Sequence, residues 1–120
     1  MKILLDTNFI MDLCKFRIDL ADVQDLVSEP VELCILNKTL NELEFLSKKA
    51  KHGKYAKLSL LLITANKIKI LDVVGDVDKN LLALAGNFLI ATNDGKLRQK
   101  LKQKGMKTIY LRARKHLAIG

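Results

Sequence analysis

The chain has 120 residues, of which 49% are apolar and 28% charged, with one Pro and six Gly. This length fits a single domain, and the apolar fraction supports a hydrophobic core, which excludes an intrinsically disordered chain. Aromatic residues make up only 5% and Trp is absent, which argues against proteins that bind single strands by stacking bases on aromatic platforms. The net charge of +8 and a pI near 9.6 favour an anionic partner, with nucleic acid first.

The basic residues are clustered along the chain. No Asp or Glu follows Asp94, and this last stretch contains Lys96, Arg98, Lys100, Lys102, Lys104, Lys107, Arg112, Arg114 and Lys115. A second basic run consists of Lys48, Lys49, Lys51, Lys54 and Lys57. The clustering favours a surface that holds a phosphate backbone. The alternative is an ordinary solvated basic face in a protein that binds no nucleic acid.

In chain order, the apolar pattern predicts a buried strand over residues 2–5, helix over 9–13 and 20–27, and a strand over 31–36. Helices over 37–50 and 55–66, a strand over 68–74 and a short helix over 78–86 follow. A strand over 88–91, a basic helix over 95–104 and a strand over 107–111 complete the pattern. Strands that alternate with helices and read as continuous apolar runs predict an α/β sandwich with a mostly parallel sheet of about five strands. We expect one domain over 1–111 and a basic tail over 112–120.

The compartment is predicted from the cysteines and from the apolar segments. Cys14 and Cys34 have neither CxxC spacing nor a partnering His cluster, so we expect free thiols in a reducing compartment. The apolar run 3–5 is too short for a signal peptide, and the run 58–65 is too short to span a bilayer. We therefore expect a cytoplasmic protein without a membrane partner.

Acidic side chains follow the first four predicted strands. Asp6 directly follows the first strand, Glu42 lies one turn into the helix after the second, Asp78 opens the helix after the third, and Asp94 follows the fourth. Since ligand sites of open α/β sheets lie beyond the carboxyl ends of the strands, we expect these carboxylates at one rim. Converging carboxylates repel each other unless a cation lies between them. Mg²⁺ and Mn²⁺ prefer such oxygen ligands and support phosphodiester cleavage.

Each acid also has a structural interpretation. Asp6 is placed to cap the helix that follows it, and Asp78 and either Asn93 or Asp94 are placed to cap theirs. Thr39 and Glu42 have the S/T-x-x-E spacing of a capping box. Capping can coexist with metal binding, so these alternatives stay open.

Two surfaces of the predicted helices carry interaction hypotheses. The basic helix starts at Asp94, so a phosphate backbone bound at the acidic rim would run beside it. The candidate RNA-binding residues are Lys96, Arg98, Lys100, Arg112, Arg114 and Lys115. The helix over 55–66 has more Leu than a core face needs, which leaves a homodimer surface as a further hypothesis.

Three motifs, in order and over nearly the whole chain, resemble those of the PIN-domain family. The opening Leu4–Asn8 (L-L-D-T-N) and the later Ile90–Asp94 (I-A-T-N-D) resemble the two signature ends of PIN domains. Leu40–Leu43 (L-N-E-L) resembles the family's acidic helix between them. The resemblance implies a three-layer α/β/α fold and a Mg²⁺- or Mn²⁺-dependent endoribonuclease that acts on RNA.

The resemblance also implies roles for individual residues. Asp6, Glu42 and Asp94 would bind the metal ion, and Asp78 matches the first Asp of a D-D pair. The supporting residues would be Asn8, Thr92 and Asn93.

Lys79 stands where the second Asp of that pair would be. If that second position supplies a ligand, the site has lost an acid and gained a positive charge. The protein would then be a degenerate PIN module that binds RNA or assembles with ribosome-biogenesis partners without cutting.

Two branches of the family are similar to this chain. The ending Thr108–Arg112 resembles archaeal relatives of the PIN endonucleases that process small-subunit ribosomal RNA. The VapC-type toxins are the other branch, and they would imply an antitoxin partner. A receiver-type phosphoacceptor domain has a similar length, but it needs paired acids after strand one and a Lys after strand five, where this chain has Asp6 and Arg112.

Overall fold

The computed structural model describes all residues from 1 to 120. The strands are β1 (Lys2–Leu5), β2 (Glu32–Leu36), β3 (Lys69–Leu71), β4 (Leu89–Ala91), β5 (Thr108–Arg112) and β6 (His116–Ile119). The helices are α1 (Thr7–Lys15), α2 (Ala21–Asp25), α3 (Asn37–Leu46), α4 (Gly53–Ala65), α5 (Val77–Leu84) and α6 (Gly95–Gln103). Helices and strands alternate as the sequence predicted, and the element boundaries differ by a few residues.

The six strands form one sheet in the order β3-β2-β1-β4-β5-β6. All neighbouring strands run parallel except β5 and β6, which are antiparallel. From β1 the chain adds β2 and β3 on one side of the sheet and then β4, β5 and β6 on the other. The carboxyl end of β1 therefore lies at the switch point where α/β proteins bind ligands. The predicted α/β fold with a mostly parallel sheet is confirmed.

The core lies on both faces of the sheet. Ile3 and Leu5 of β1 pack with α1, α3 and α4 in a cluster of 14 buried residues. Leu4, between them, faces the opposite side and packs with α5 and α6 in a second cluster. Because this central parallel strand is covered on both faces from its second residue onward, those positions need apolar side chains, which explains the run Ile3–Leu5. The three-layer arrangement implied by the family resemblance is therefore present.

The sixth strand departs from the sequence-based expectation of a basic tail after residue 111. Ala113 and Arg114 have φ values of 53° and 57°, so both central residues of the turn lie in the left-handed region. The Lys115 backbone N–H donates to the Arg112 carbonyl oxygen at 3.1 Å and closes the turn, so the chain reverses over residues 113–115 and His116–Ile119 pair with β5. Asn-Gly or Asp-Gly usually marks such turns, and Ala-Arg does not, so the sequence did not signal the hairpin.

Gly53 starts α4 because of a close approach between two helices. A Cβ at this position would lie 3.1 Å from the backbone oxygen of Ser47, at the end of α3. The preceding residue, His52, has a φ of 66°. The break between α3 and α4 is therefore a tight backbone contact. No helix of the protein, α4 included, is long and apolar enough to cross a membrane.

Candidate active site

Asp6 lies directly after β1 and is buried, with 8% of its surface exposed. Its Oδ1 accepts a hydrogen bond from the backbone N–H of Thr7 at 2.9 Å, and it is the N-cap of α1. Its Oδ2 accepts a hydrogen bond from the Thr92 hydroxyl at 2.8 Å. Leu5 of β1 pairs with Ala91 of β4, so the next residues, Asp6 and Thr92, meet at the carboxyl edge of the sheet. The capping interpretation of Asp6 is confirmed.

The environment of Asp6 disfavours its ionised form. Burial raises the pKa of this carboxyl above its ordinary value of 3.8, and the hydrogen bonds from Thr92 and Thr7 offset part of that effect. The negative charges of Asp78 and Glu42 raise the pKa further. These two carboxylates, from helices after the second and third strands, are therefore within electrostatic range of Asp6. The fold therefore places Glu42 and Asp78 in the electrostatic surroundings of Asp6.

Glu42 is exposed and is free of structural bonds. The helix α3 begins at Asn37, two residues before Thr39, and its N-cap is Leu36, which provides no side-chain hydrogen bond. The predicted capping box between Thr39 and Glu42 is therefore wrong, because Thr39 is already inside the helix and buried. The Glu42 carboxylate forms no hydrogen bond or ion pair within the protein.

Asp78 is likewise exposed and free of structural bonds. The side chain that caps α5 belongs to Asp76, whose Oδ2 accepts a hydrogen bond from the backbone N–H of Lys79 at 3.0 Å. The interpretation of Asp78 as the cap is wrong, since it lies inside the first turn. Lys79 follows it, exposed and unpaired with any carboxylate.

Asp94 is the N-cap of α6, as one interpretation of the sequence predicted. Its Oδ1 accepts hydrogen bonds from the backbone N–H groups of Lys96 at 3.0 Å and Leu97 at 3.4 Å. Its own backbone N–H donates to the Thr92 hydroxyl at 3.1 Å. Thr92 thus connects Asp94 to Asp6 through a single buried oxygen. The second carboxylate oxygen of Asp94 accepts no hydrogen bond within the protein.

The donor chemistry of this rim fits a hard divalent cation, because every candidate ligand is a carboxylate oxygen. Each oxygen of Asp6 accepts one hydrogen bond and keeps further lone pairs. No three His, Cys, Asp or Glu side chains lie close enough together to hold one metal ion in this conformation. Binding of a metal ion at this rim would therefore require the acidic side chains to move closer to Asp6.

Asn93 joins three elements behind the acids. Its Nδ2 donates to Asp12 Oδ2 of α1 at 2.8 Å, and its Oδ1 accepts from the backbone N–H of Leu111 in β5 at 2.8 Å. Its backbone N–H donates to Asn8 Oδ1 at 3.1 Å. The sequence had indicated Asn8 and Asn93 but had missed Asp12. The available signal was the spacing of Asn8 and Asp12, which lie four residues apart on one face of the helix.

Asn37 is a second positioning residue that the sequence analysis missed. Its Nδ2 donates to the Val73 carbonyl oxygen at 3.2 Å, and its Oδ1 accepts from the Val73 N–H at 3.0 Å. This pair of bonds ties the start of α3 to the segment that leads into α5. The signal was its place directly after β2, which corresponds to Asp6 after β1 and Thr92 after β4.

The basic surface is almost free of internal ion pairs. Of the 21 Lys and Arg side chains, only Lys69 pairs with a carboxylate, that of Glu32 at 3.9 Å. Most of the candidate RNA-binding residues are exposed, namely Lys96, Lys100, Arg112, Arg114 and Lys115. Arg98 differs, because its guanidinium lies 3.5 Å from the centre of the Tyr110 ring and its Nε donates to Thr108. Arg98 is thus half-buried and already engaged by the protein.

Comparison with known proteins gives one consistent family. A family model described as a PIN like domain matches residues 3–114. Ribonuclease VapC4 of Methanocaldococcus jannaschii is 28% identical over 125 residues, which cover 98% of this chain and 95% of the relative. The solved structure of the PIN domain endonuclease Utp24 superposes with a TM-score of 0.80 at 21% identity, covering 98% of this chain and 90% of the other. At that identity the second likeness establishes the fold alone.

Proposed function

The chain belongs to the PIN-like domain family, and from this premise we propose that it is a Mg²⁺- or Mn²⁺-dependent endoribonuclease. The observation that carries the proposal is the buried Asp6 carboxyl, whose pKa is raised by burial and by the charges of Asp78 and Glu42. Negative charges that lie near a buried carboxyl at a strand switch point favour a cation between them. The surrounding Lys and Arg side chains, which lack acidic partners, supply the charge that an RNA backbone requires.

In this proposal Asp6, Glu42 and Asp94 hold the ion through their oxygens. When bound, Mg²⁺ or Mn²⁺ supplies polarisation of the scissile phosphate and of water. Thr92 and the backbone N–H of Thr7 orient the Asp6 carboxylate and leave its other lone pairs for the ion. Asp78, which has no partner in the protein, would accept the proton of the attacking water as its oxygen bonds to phosphorus. One P–O ester bond breaks in the same step, and the leaving oxygen takes up a proton from solvent.

The exposed cations then hold the flanking phosphates. Lys96 and Lys100 lie on α6, which begins at Asp94, and the basic turn that contains Arg114 and Lys115 follows β5. Asn93 bonds the end of β4 to β5, so it sets the distance between the acidic rim and this turn. We therefore assign Asn93 a positioning role.

The biological setting has two forms within the family. One is processing of ribosomal RNA, by the enzyme alone or in a complex with ribosome-assembly partners. The other is a VapC-type toxin that an antitoxin restrains, which the likeness to Ribonuclease VapC4 supports. Both free cysteines support a reducing, cytoplasmic setting. Co-purification of the tagged protein from its native cells separates the two forms, because a dedicated small antitoxin accompanies only the toxin.

A second candidate function is RNA binding without cleavage. Two observations favour it: Lys79 adds a positive charge next to Asp78, and no three acidic side chains converge closely enough to hold an ion. A positive charge at the rim lowers the affinity for a divalent cation. Under this alternative, the basic surface still binds RNA but EDTA has no effect on that binding.

The test is incubation of the protein with structured and single-stranded RNA in the presence of Mn²⁺, Mg²⁺ or EDTA. The endoribonuclease predicts cleavage that requires metal, disappears in Asp6→Asn and persists in Asp22→Asn. Asp22 is a charge-matched control on α2, a helix whose Gln24 bonds Val31 just before β2, at the end of that strand opposite to the rim. Lys79→Asp predicts stronger Mn²⁺ binding and faster cleavage. Metal-independent binding with no cleavage by either the wild type or Lys79→Asp would instead establish the binding module.

A further inference from the structure

A polar groove of about 210 Å³ lies between α1 and the start of α4. It begins beside the acidic rim, because one of its lining residues, Asn8, is in the first turn of the helix that Asp6 caps. Six residues line it, and only two of them are apolar or aromatic: Asn8, Met11, Asp12, Lys15, His52 and Tyr55. The function proposed above assigns no role to this groove.

Hydrogen bonds from Asn93 orient two polar side chains of the groove, Asn8 and Asp12. Both side chains keep atoms that form no hydrogen bond within the protein. Asp12 accepts a hydrogen bond from Asn93 through Oδ2 only, so Oδ1 is an available acceptor. Asn8 accepts from the Asn93 backbone N–H through Oδ1, which leaves both hydrogens of its Nδ2 available as donors. The Tyr55 hydroxyl forms no hydrogen bond within the protein. An acceptor and a donor are thus held at fixed positions beside an aromatic ring.

The residues around the groove are mainly basic. Lys15 lines it, and Lys51 and Lys54 flank His52 in the chain; none of these lysines pairs with a carboxylate. His52 has a φ of 66°, a left-handed conformation that is uncommon for a residue other than Gly, Asn or Asp. His52 directly precedes Gly53, the first residue of α4, and it is one of the residues that line the groove. Lysines without acidic partners attract phosphate groups.

We propose that this groove binds one nucleobase of the RNA next to the scissile phosphate, with a preference for bases that carry an amino group. The proposal rests on RNA being the substrate. The Tyr55 ring offers a stacking face, Asp12 Oδ1 accepts from the exocyclic amino group, and Asn8 Nδ2 donates to a ring nitrogen or carbonyl oxygen. Lys15 pairs with the adjacent phosphate. Uracil can offer Asp12 only its N3–H, which lies between two carbonyl oxygens that repel the carboxylate, so it fits this acceptor less well than an exocyclic amino group does.

The test measures binding apart from cleavage. Fluorescein-labelled oligo(A), oligo(C) and oligo(U) are titrated with the full chain in EDTA, and the anisotropy gives the affinities. We expect oligo(A) and oligo(C) to bind roughly tenfold more tightly than oligo(U), the discrimination of one good base contact. Asp12→Asn can still accept from Asn93 but turns an amide donor toward the base, so it should abolish or reverse this preference.

Tyr55→Leu should weaken binding of all three oligonucleotides by about tenfold, since it removes one stacking face, whereas Tyr55→Phe should not. Asp22→Asn is the charge control, and thermal unfolding of each variant verifies the fold. Wild-type preference for oligo(U), or Asp12→Asn and Tyr55→Leu variants that bind like the wild type, would overturn the groove as a base site. Cleavage with Mn²⁺ is measured separately. Cleavage without a base preference would reject the groove as a base site and keep the nuclease, and a base preference without cleavage would do the reverse.

Discussion

The Thr92 hydroxyl is the connection on which the acidic rim most depends. Thr92 is fully buried, donates to Asp6 Oδ2 at 2.8 Å and accepts from the Asp94 backbone N–H at 3.1 Å. Val has nearly the same shape, so Thr92→Val leaves the packing in place and removes these two hydrogen bonds, together with a longer one of 3.4 Å from the same hydroxyl to Asn8 Oδ1. Asp6 then loses a bond that lowers its pKa, and the Asp94 N–H loses its acceptor.

The size of the effect follows from these two bonds. A hydrogen bond to a charged group contributes about 1.5–3 kcal/mol, and an orphaned N–H costs about 1 kcal/mol or more. The Asp94 N–H is only partly buried, so water replaces part of that second bond. We expect a loss of about 3 kcal/mol in the free energy of unfolding at neutral pH, which lowers Tm by roughly 10 °C in a domain of this size.

Thr92→Ser is the matched control. It keeps the hydroxyl and removes one methyl group, which costs about 1 kcal/mol. Urea unfolding of the three proteins at neutral pH in EDTA gives the free energies, and cleavage with Mn²⁺ gives the effect on activity. We expect Thr92→Val to be the less stable and the less active of the two variants. If Thr92→Val proved as stable as Thr92→Ser, the hydroxyl would have no role in holding Asp6 and the reasoning would fail.

Three further predictions concern the charge and the surfaces of the protein. Because the pKa of Asp6 is raised in the fold, its contribution to stability is present below pH 3.8 and is lost as the pH rises through the folded pKa. Asp6→Asn should therefore gain stability relative to the wild type between acidic and neutral pH. Urea unfolding in EDTA measures this, and a difference between the two proteins that does not change with pH would contradict it. Removing one α6 phosphate contact with Lys96→Ala or Lys100→Ala should weaken RNA binding without regard to sequence and reduce the slope of log K against log salt by about one; an unchanged slope would exclude that lysine from the interface. Leu61 on α4 is 66% exposed, so if α4 forms the proposed homodimer, Leu61→Lys should convert the dimer to monomer in light scattering, and a monomeric wild type would refute the dimer.

Much of the site could be inferred from the chain because parallel strands end at a common edge. Asp6, Asp78 and Asp94 follow strands that are marked by short apolar runs, and Glu42 follows on a helix with clear apolar spacing. The convergence of Asp6, Glu42 and Asp78 then needed only the alternation of strands and helices. Capping roles were harder to assign, since Asp76 and Asp78 are equally good cap residues by type. The choice of Asp76 depended on where the first turn of α5 begins.

Residues whose partners are distant in the chain were not predictable. Asp12 looks like an ordinary polar position of α1 until Asn93, 81 residues later, donates to it. Asn37 is similar, because Val73 lies 36 residues away. The hairpin at Ala113 and Arg114 has no turn signature, and its strand β6 pairs with β5 and covers an edge that would otherwise be exposed.

Local periodicity and composition establish the α/β alternation, the excess of basic residues and the placement of acids after the strands. Which acids are hydrogen-bonded and which are unbonded depends on how the chain packs. Asp6 and Asp94 accept hydrogen bonds from helix N-termini and, for Asp6, from the buried Thr92, whereas Glu42 and Asp78 remain unbonded at the surface. Such differences depend on burial and on hydrogen-bond partners that lie far away in the chain, so a local sequence pattern does not predict them.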